Sequence, residues 1–418
     1  MSYYIESFTF ADVENYKSKI FVALPAQDEF ENLPEFLTCY KAQTWPNKKL
    51  VVCVNQPDDW WENADKRRVC DNNQMSLEYL KSQVDIDNEV IDRSSKGLGW
   101  TGKKYGVGWA RKVAMDQVSQ MANEDDILIS LDADTAFNPT YFASVFQTLK
   151  SNPKAVALSV PYYHQLTSEE DKDRAILHYE IYMRYYAINL WRIKNPYAFT
   201  AVGSAIALPV KAYRAIGGIT PHKSGEDFYF VQKLRKYGEV LTFNPEKVYP
   251  EARYSDRVGF GTGPAMIKGS KGNWESYPVY PFRLFDEIKA TTDLFSDLYD
   301  RELPTPMDEF NLEKFGETNI WQALRENFKR RDQFVKACFH KIDALRILQY
   351  LKWRNQQLKQ VDEDNLHEFM ERYYPQKWRS LNIDPTYFSF ETSKTTLLDK
   401  VRNLLLEIEQ NYQIENAG

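Results

Sequence analysis

Ile127-Leu128-Ile129-Ser130-Leu131-Asp132-Ala133-Asp134-Thr135 is the stretch on which the reading of this chain turns. An apolar run of strand type ends in two carboxylates one residue apart. Side chains at i and i+2 of a strand point to the same side, so two Asp at the carboxyl end of a buried strand aim both carboxylates at one point. Hard divalent cations such as Mg²⁺ and Mn²⁺ take carboxylate oxygens. Open α/β sheets bind their ligands beyond the carboxyl ends of the strands. A capped strand end would use the same residues, and at this level both readings stand. Further Asp-x-Asp pairs at 85/87, 171/173 and 362/364 lie in charged surroundings and read as solvated surface.

Working outward, residues 19–24 form an apolar strand run stopped by Pro25, and 32–43 carry Leu33, Phe36, Leu37 and Tyr40 at helical spacing. Residues 50–54 predict a second strand, 75–83 a helix and 89–91 a short strand. A glycine-rich loop at 96–104 leads into a helix over 107–121. Downstream, 155–160, 205–208 and 240–243 read as strands and 168–194 as one long helix. Alternating strands and helices, with short wholly apolar strands, predict an α/β fold with a mostly parallel sheet flanked by helices. From about residue 285 the strand signals stop. The expected organisation is a catalytic domain over 1–284 and a helical C-terminal extension over 285–418, with Leu303-Pro304-Thr305-Pro306 as a linker.

Composition narrows the function classes. The net charge of −6 and the 43% hydrophobic content fit a water-soluble globular protein and argue against nucleic acid as a partner, since that needs a basic footprint. No apolar run is long enough to cross a bilayer, and the first residues lack the architecture of a signal peptide. Cys39, Cys53, Cys70 and Cys338 show no metal-binding spacing, and together these features point to a cytoplasmic protein with reduced thiols.

Two more clusters carry chemistry. Ser224-Gly225-Glu226-Asp227-Phe228 precedes a helical run. Acidic residues there complement the helix dipole, or one of them takes a proton from an incoming hydroxyl as a general base. Val202–Leu208 with Gly217-Gly218 marks either tight turns or a glycine-bearing wall beside a sugar or phosphate.

The order of these pieces resembles the family 2 glycosyltransferases, over roughly residues 18–260. The landmarks are Ala23-Leu24-Pro25-Ala26-Gln27-Asp28-Glu29, Val51–Asn55, Ala110-Arg111, Leu131–Asp134, Val202–Leu208 with Gly217-Gly218, and Gly225-Glu226-Asp227. The resemblance implies a GT-A nucleotide-sugar fold and an inverting, metal-dependent transfer from a UDP- or GDP-sugar to a hydroxyl acceptor. That acceptor would be a glycan, a lipid-linked or a small molecule, in surface glycan or glycolipid synthesis. It further implies that Pro25, Ala26, Asp28 and Glu29 line the base and ribose pocket. Asn55 stands where the family usually has an Asp on the nucleoside, and Lys104 or Arg111 approaches the diphosphate or ribose. Asp132 would bind ribose, or the metal through water, and Asp134 would bind Mn²⁺ or Mg²⁺ directly. Asp227 would be the general base, assisted by Glu226. A divalent ion would neutralise the charge developing on the diphosphate as it leaves.

The loop 253–263 reads as a lid whose Arg257, with Arg253 or Lys268, contacts the diphosphate, and His222 is a candidate third metal ligand. Between Trp321 and Lys359 ten Lys and Arg face only Glu326, Asp332 and Asp343, on an apolar helical pattern. That predicts an amphipathic helix packed on the catalytic domain or, alternatively, peripheral contact with an anionic membrane. Two other functions fit the same outline less well. A nucleotidyltransferase that makes sugar nucleotides would need a glycine-rich loop where Pro25–Glu29 stand, and a silent nucleotide- or glycan-binding module would not need the intact carboxylates.

Overall fold

The computed structural model describes residues 17–200, 202–255, 259, 261–317, 320–358 and 360–416. By internal contacts the chain forms two compact units. The first comprises residues up to Thr167 together with Thr200–Pro264, and the second comprises Ser168–Phe199 together with Ala265–Asn416. The sequence division at 284/285 follows strand content; the contacts divide the chain differently and group the helix Glu170–Arg192 with the C-terminal helices.

The first unit is built on a seven-stranded sheet in the order β3-β2-β1-β4-β7-β6-β8. Its strands are β1 (Ile20–Ala26), β2 (Lys48–Asn55), β3 (Asn88–Arg93), β4 (Ile127–Ser130), β6 (Ala155–Ser159), β7 (Ile206–Pro209) and β8 (Glu239–Leu241). Neighbouring strands pair in parallel except for β7, which runs against both β4 and β6. β1 is buried along its whole length, as a central strand covered on both faces must be. The helix Val107–Met121 packs on β1 and β2. Its Ala110, Ala114, Met115 and Val118, spaced along one face, are buried. The helix Leu33–Lys41 buries the four apolar residues expected of it.

Two strands have no counterpart in the sequence reading. β5 (Thr135–Phe137) and β9 (Val248–Pro250) pair antiparallel as a separate ribbon. Three residues give too short a stretch for periodicity to register. A second difference concerns the opening motif. β4 stops at Ser130, so Asp132 and Asp134 lie in the turn between β4 and β5. The two-residue strand alternation therefore does not govern where their carboxylates point.

In the second unit the helix Glu170–Arg192 packs against the helix Thr395–Glu415. Their contact encloses ions. Arg184 bridges Glu180 and Glu409 at 2.5 Å each, and Arg402 pairs with Asp399 at 2.5 Å and Glu180 at 3.4 Å. The basic stretch after Trp321 is three helices rather than one: Ile320–Asn327, Arg331–Lys341 and Ala344–Asn355. Part of its charge is met inside this unit. Arg325 pairs with Glu302, Arg331 with Asp300, Lys341 and Arg346 with Glu317, and Arg354 with Glu287. Acids outside the stretch thus offset part of the charge excess read from the sequence. Among the described residues no helix is long and apolar enough to cross a membrane.

Candidate active site

Parallel strands bring sequence-distant residues to one edge. β1, β2 and β4 share a direction, so the segments that follow Ala26, Asn55 and Ser130 leave the sheet on the same side. β7 opposes β4, with Ile206 in register with Ser130, so its preceding residues Gly203 and Ser204 arrive at that edge too.

Arg111, near the start of the helix Val107–Met121, is the centre of this edge. Its side chain is 2% exposed. Nη2 donates to Asp132 Oδ1 at 2.8 Å, Nε donates to Glu226 Oε1 at 3.1 Å, and Nη1 donates to Ser130 Oγ and the Gly203 carbonyl. Burial alone would lower the guanidinium pKa, but the Asp132 and Glu226 carboxylates outweigh it and hold Arg111 protonated. Ser204 Oγ donates to the other Asp132 oxygen at 2.9 Å. Gly203 is required by this packing: a Cβ there would lie 2.7 Å from Arg111 Nη2 and 3.1 Å from Asp132 Oδ2.

Glu226 and Asp227 open the helix Glu226–Tyr237 behind Gly225, whose φ of 71° is left-handed. Glu226 turns inward to Arg111. Asp227 is half-buried and accepts a hydrogen bond from the Phe228 N–H at 2.8 Å. Among the described residues no cation pairs with it. Burial, then the neighbouring Glu226 charge, push its carboxyl up to about 7, against the pull of Arg111. A carboxyl balanced near neutrality at a strand edge suits proton transfer.

A second arginine holds the other carboxylates. Arg253 donates from Nη2 to Glu29 Oε1 at 2.6 Å and from Nη1 to Glu29 Oε2 at 3.1 Å, and the same Nη2 lies 2.7 Å from Asp134 Oδ2. The β5–β9 ribbon sets this contact. Thr135 pairs with Pro250, and the Glu251 N–H donates to the Asp134 carbonyl at 2.9 Å, which brings Arg253 beside the turn. The Asp134 and Glu29 charges keep Arg253 protonated despite its burial.

The other expected residues fall as follows. Pro25 and Ala26 end β1 and are buried. Asp28 adopts φ 58° and is held by Arg68 in a two-point ion pair. Asn55 is 1% exposed and its amide is engaged within the protein. Nδ2 donates to the Ala26 carbonyl at 3.0 Å, and Oδ1 accepts from Trp100 Nε1 at 3.1 Å. Asn55 therefore ties β1 to the glycine-rich loop. Lys104 is exposed, with its ammonium over the Trp109 ring. His222 lies against Tyr229, ring to ring at 4.4 Å. Arg257 lies outside the described residues. Ser130, Ser204 and Trp100 lie inside stretches noted in the sequence but had no role assigned, and Arg68 had no signal; residues that act by tertiary contact leave no periodic pattern.

The side chains expected to bind a divalent cation do not fit one in this arrangement. Asp132 accepts from Arg111 and Ser204, while Asp134 faces Arg253. Among the described residues no group of three or more His, Cys, Asp and Glu side chains is placed to hold a metal ion.

No family model and no curated protein matches this chain. Solved structures do. The chain is similar to TarS 1-349 from S. aureus in complex with UDP-GlcNAc, at 13% identity and a TM-score of 0.40, covering 94% of this chain and 92% of that one. It is similar to the mannosyltransferase PcManGT from Pyrobaculum calidifontis in complex with GDP-Man and Mn²⁺, at 13% identity and a TM-score of 0.38, covering 94% and 88%. Glucosyl-3-phosphoglycerate synthase from Mycobacterium tuberculosis, with Mn²⁺, UDP-glucose and glycerol 3-phosphate, matches over 58% of this chain and 76% of its own, at 13% identity and a TM-score of 0.33. At these scores the likenesses carry no argument about chemistry, which rests on the side chains described above.

Proposed function

We propose that this chain is a GT-A-type inverting glycosyltransferase that moves a sugar from a UDP- or GDP-sugar to a hydroxyl acceptor. The observation that carries the proposal is the gathering of Asp132, Glu226 and Asp227 around the buried Arg111 at the carboxyl edge of the sheet, with Asp227 raised to about 7. In the reaction the acceptor oxygen attacks the anomeric carbon from the face opposite the diphosphate. The new carbon–oxygen bond forms as the bond to the diphosphate breaks, and the hydroxyl proton passes to the Asp227 carboxylate. The nucleoside diphosphate leaves with the bonding pair. Glu226 and Arg111 act by position, since their ion pair fixes the start of the helix that carries Asp227. Asp132, locked by Arg111 and Ser204, offers oriented oxygens to the donor.

A nucleotidyltransferase is less favoured, because the segment after β1 is Pro25–Glu29 with Glu29 tied to Arg253, rather than a glycine-rich phosphate loop. The pairing of Asp134 with Arg253 weighs against the expected metal dependence. A thermal-shift panel of UDP, GDP and their sugars tests donor binding. A nucleotide present at 100 times its Kd stabilises the native state by about 2.7 kcal/mol. No shift with any UDP or GDP compound refutes the proposal.

A further inference from the structure

Asp132 and Asp134, the pair read as a cation site, are paired with two different arginines, Arg111 and Arg253. The carboxylates that do converge are Glu29 and Asp134. One oxygen of each lies within 2.7 Å of a single nitrogen, Arg253 Nη2. They come from opposite ends of the fold's logic: Glu29 from the segment after β1, Asp134 from the turn before β5. Glu29 is 5% exposed. Two carboxylates brought this close, one of them buried, repel unless a cation stands between them. Arg253 supplies that charge, and the β5–β9 ribbon delivers it.

We propose that Arg253 is a resident cation of this site and competes directly with a divalent ion for the Asp134 carboxylate. The guanidinium fork matches the Glu29 carboxylate at two points and reaches Asp134 with the same nitrogen, a geometry that a lysine ammonium cannot reproduce. A metal ion approaching Asp134 must displace a charged, hydrogen-bonded group. In the nucleotide-free protein the site therefore takes up a divalent ion poorly, and Arg253 sets that threshold. Mn²⁺ binding to the nucleotide-free protein is separate from glycosyl transfer.

The test is Mn²⁺ binding to the full-length protein without nucleotide, read from the free-ion signal in electron paramagnetic resonance. Wild type is compared with Arg253→Gln and Arg253→Lys, with circular dichroism melts confirming that each is folded. Arg253→Gln is expected to bind Mn²⁺ at least about tenfold more tightly than wild type, and Arg253→Lys to fall between them. Asp134→Asn added to Arg253→Gln should abolish the gain. Equal Mn²⁺ affinity in folded wild type and Arg253→Gln overturns the proposal. So does a gain that survives Asp134→Asn. If Arg253→Gln does not fold, Arg253→Lys decides: tighter binding than wild type supports the competition, and unchanged binding overturns it.

Discussion

Replacing Asp227 by Asn should make the protein more stable while removing its activity, and the effect should follow pH in a defined way. In the folded protein the Asp227 carboxyl rises from an ordinary 3.8 to about 7, through burial first and Glu226 second. Between those two pH values the unfolded chain has lost the proton that the native state still holds. Stability attached to the protonated group is fully present below about pH 3.8, falls as pH rises, and is gone above about pH 7. Each tenfold change in proton affinity is worth about 1.4 kcal/mol, which sets a ceiling of about 4 kcal/mol. Because Asp227 keeps some contact with solvent, about 1–3 kcal/mol is the expected gain. An Asn amide has the shape of the protonated acid and carries no charge to desolvate. Thermal melts of both proteins at pH 5, 6, 7, 8 and 9 should show the Asn variant ahead, with the gap widening to about pH 7 and then constant. A variant less stable than wild type at pH 8, or a gap that narrows as pH rises, would refute the reasoning.

Turnover in the wild type should rise with pH and level off above about pH 7, since the base must be ionised to accept a proton; a flat profile from pH 5 to 8 would contradict Asp227 as the base. Arg111→Met leaves Asp132 and Glu226 without their buried partner and should cost about 3–5 kcal/mol in urea denaturation. Gly203→Ala places a methyl against the Arg111 guanidinium, at a cost of about 1–3 kcal/mol, with a matching fall in nucleotide affinity measured by calorimetry. In the second unit, Arg184→Met strands Glu409 in a buried site; burial already raises the Glu409 pKa, so the melting temperature should fall more at pH 8 than at pH 5.

The sheet was legible in the sequence because its strands are apolar runs punctuated by Pro25, by Asn55-Gln56-Pro57 and by charge. Burial on both faces leaves no other composition open to the central strands β1, β4 and β7, whereas the edge strands β3 and β8 carry charge. The helix 107–121 was legible to the residue, through apolar spacing after a glycine-rich loop. The β5–β9 ribbon was not, and with it went the position of Arg253, because three-residue strands are specified by their partners rather than by their own pattern. The acids were visible as motifs, but their pairing was not. Whether Asp134 faces Asp132 or Glu29 depends on where β4 ends, and strand ends are set by tertiary hydrogen bonding. Asn55 shows the same limit: its identity was noted, while its bonds to Ala26 and Trp100 come only with the folded loop.

The central claim is that this edge of the sheet cleaves a nucleoside diphosphate from a sugar with Asp227 as the base. The direct measurement is release of UDP or GDP from a panel of their sugars, followed by mass spectrometry in wild type and Asp227→Asn, with water and added hydroxyl compounds as acceptors. The expected result is nucleotide release from one donor by the wild type, and loss of release in the variant while nucleotide binding persists. Release by Asp227→Asn at the wild-type rate would contradict the account, as would no release from any UDP- or GDP-sugar.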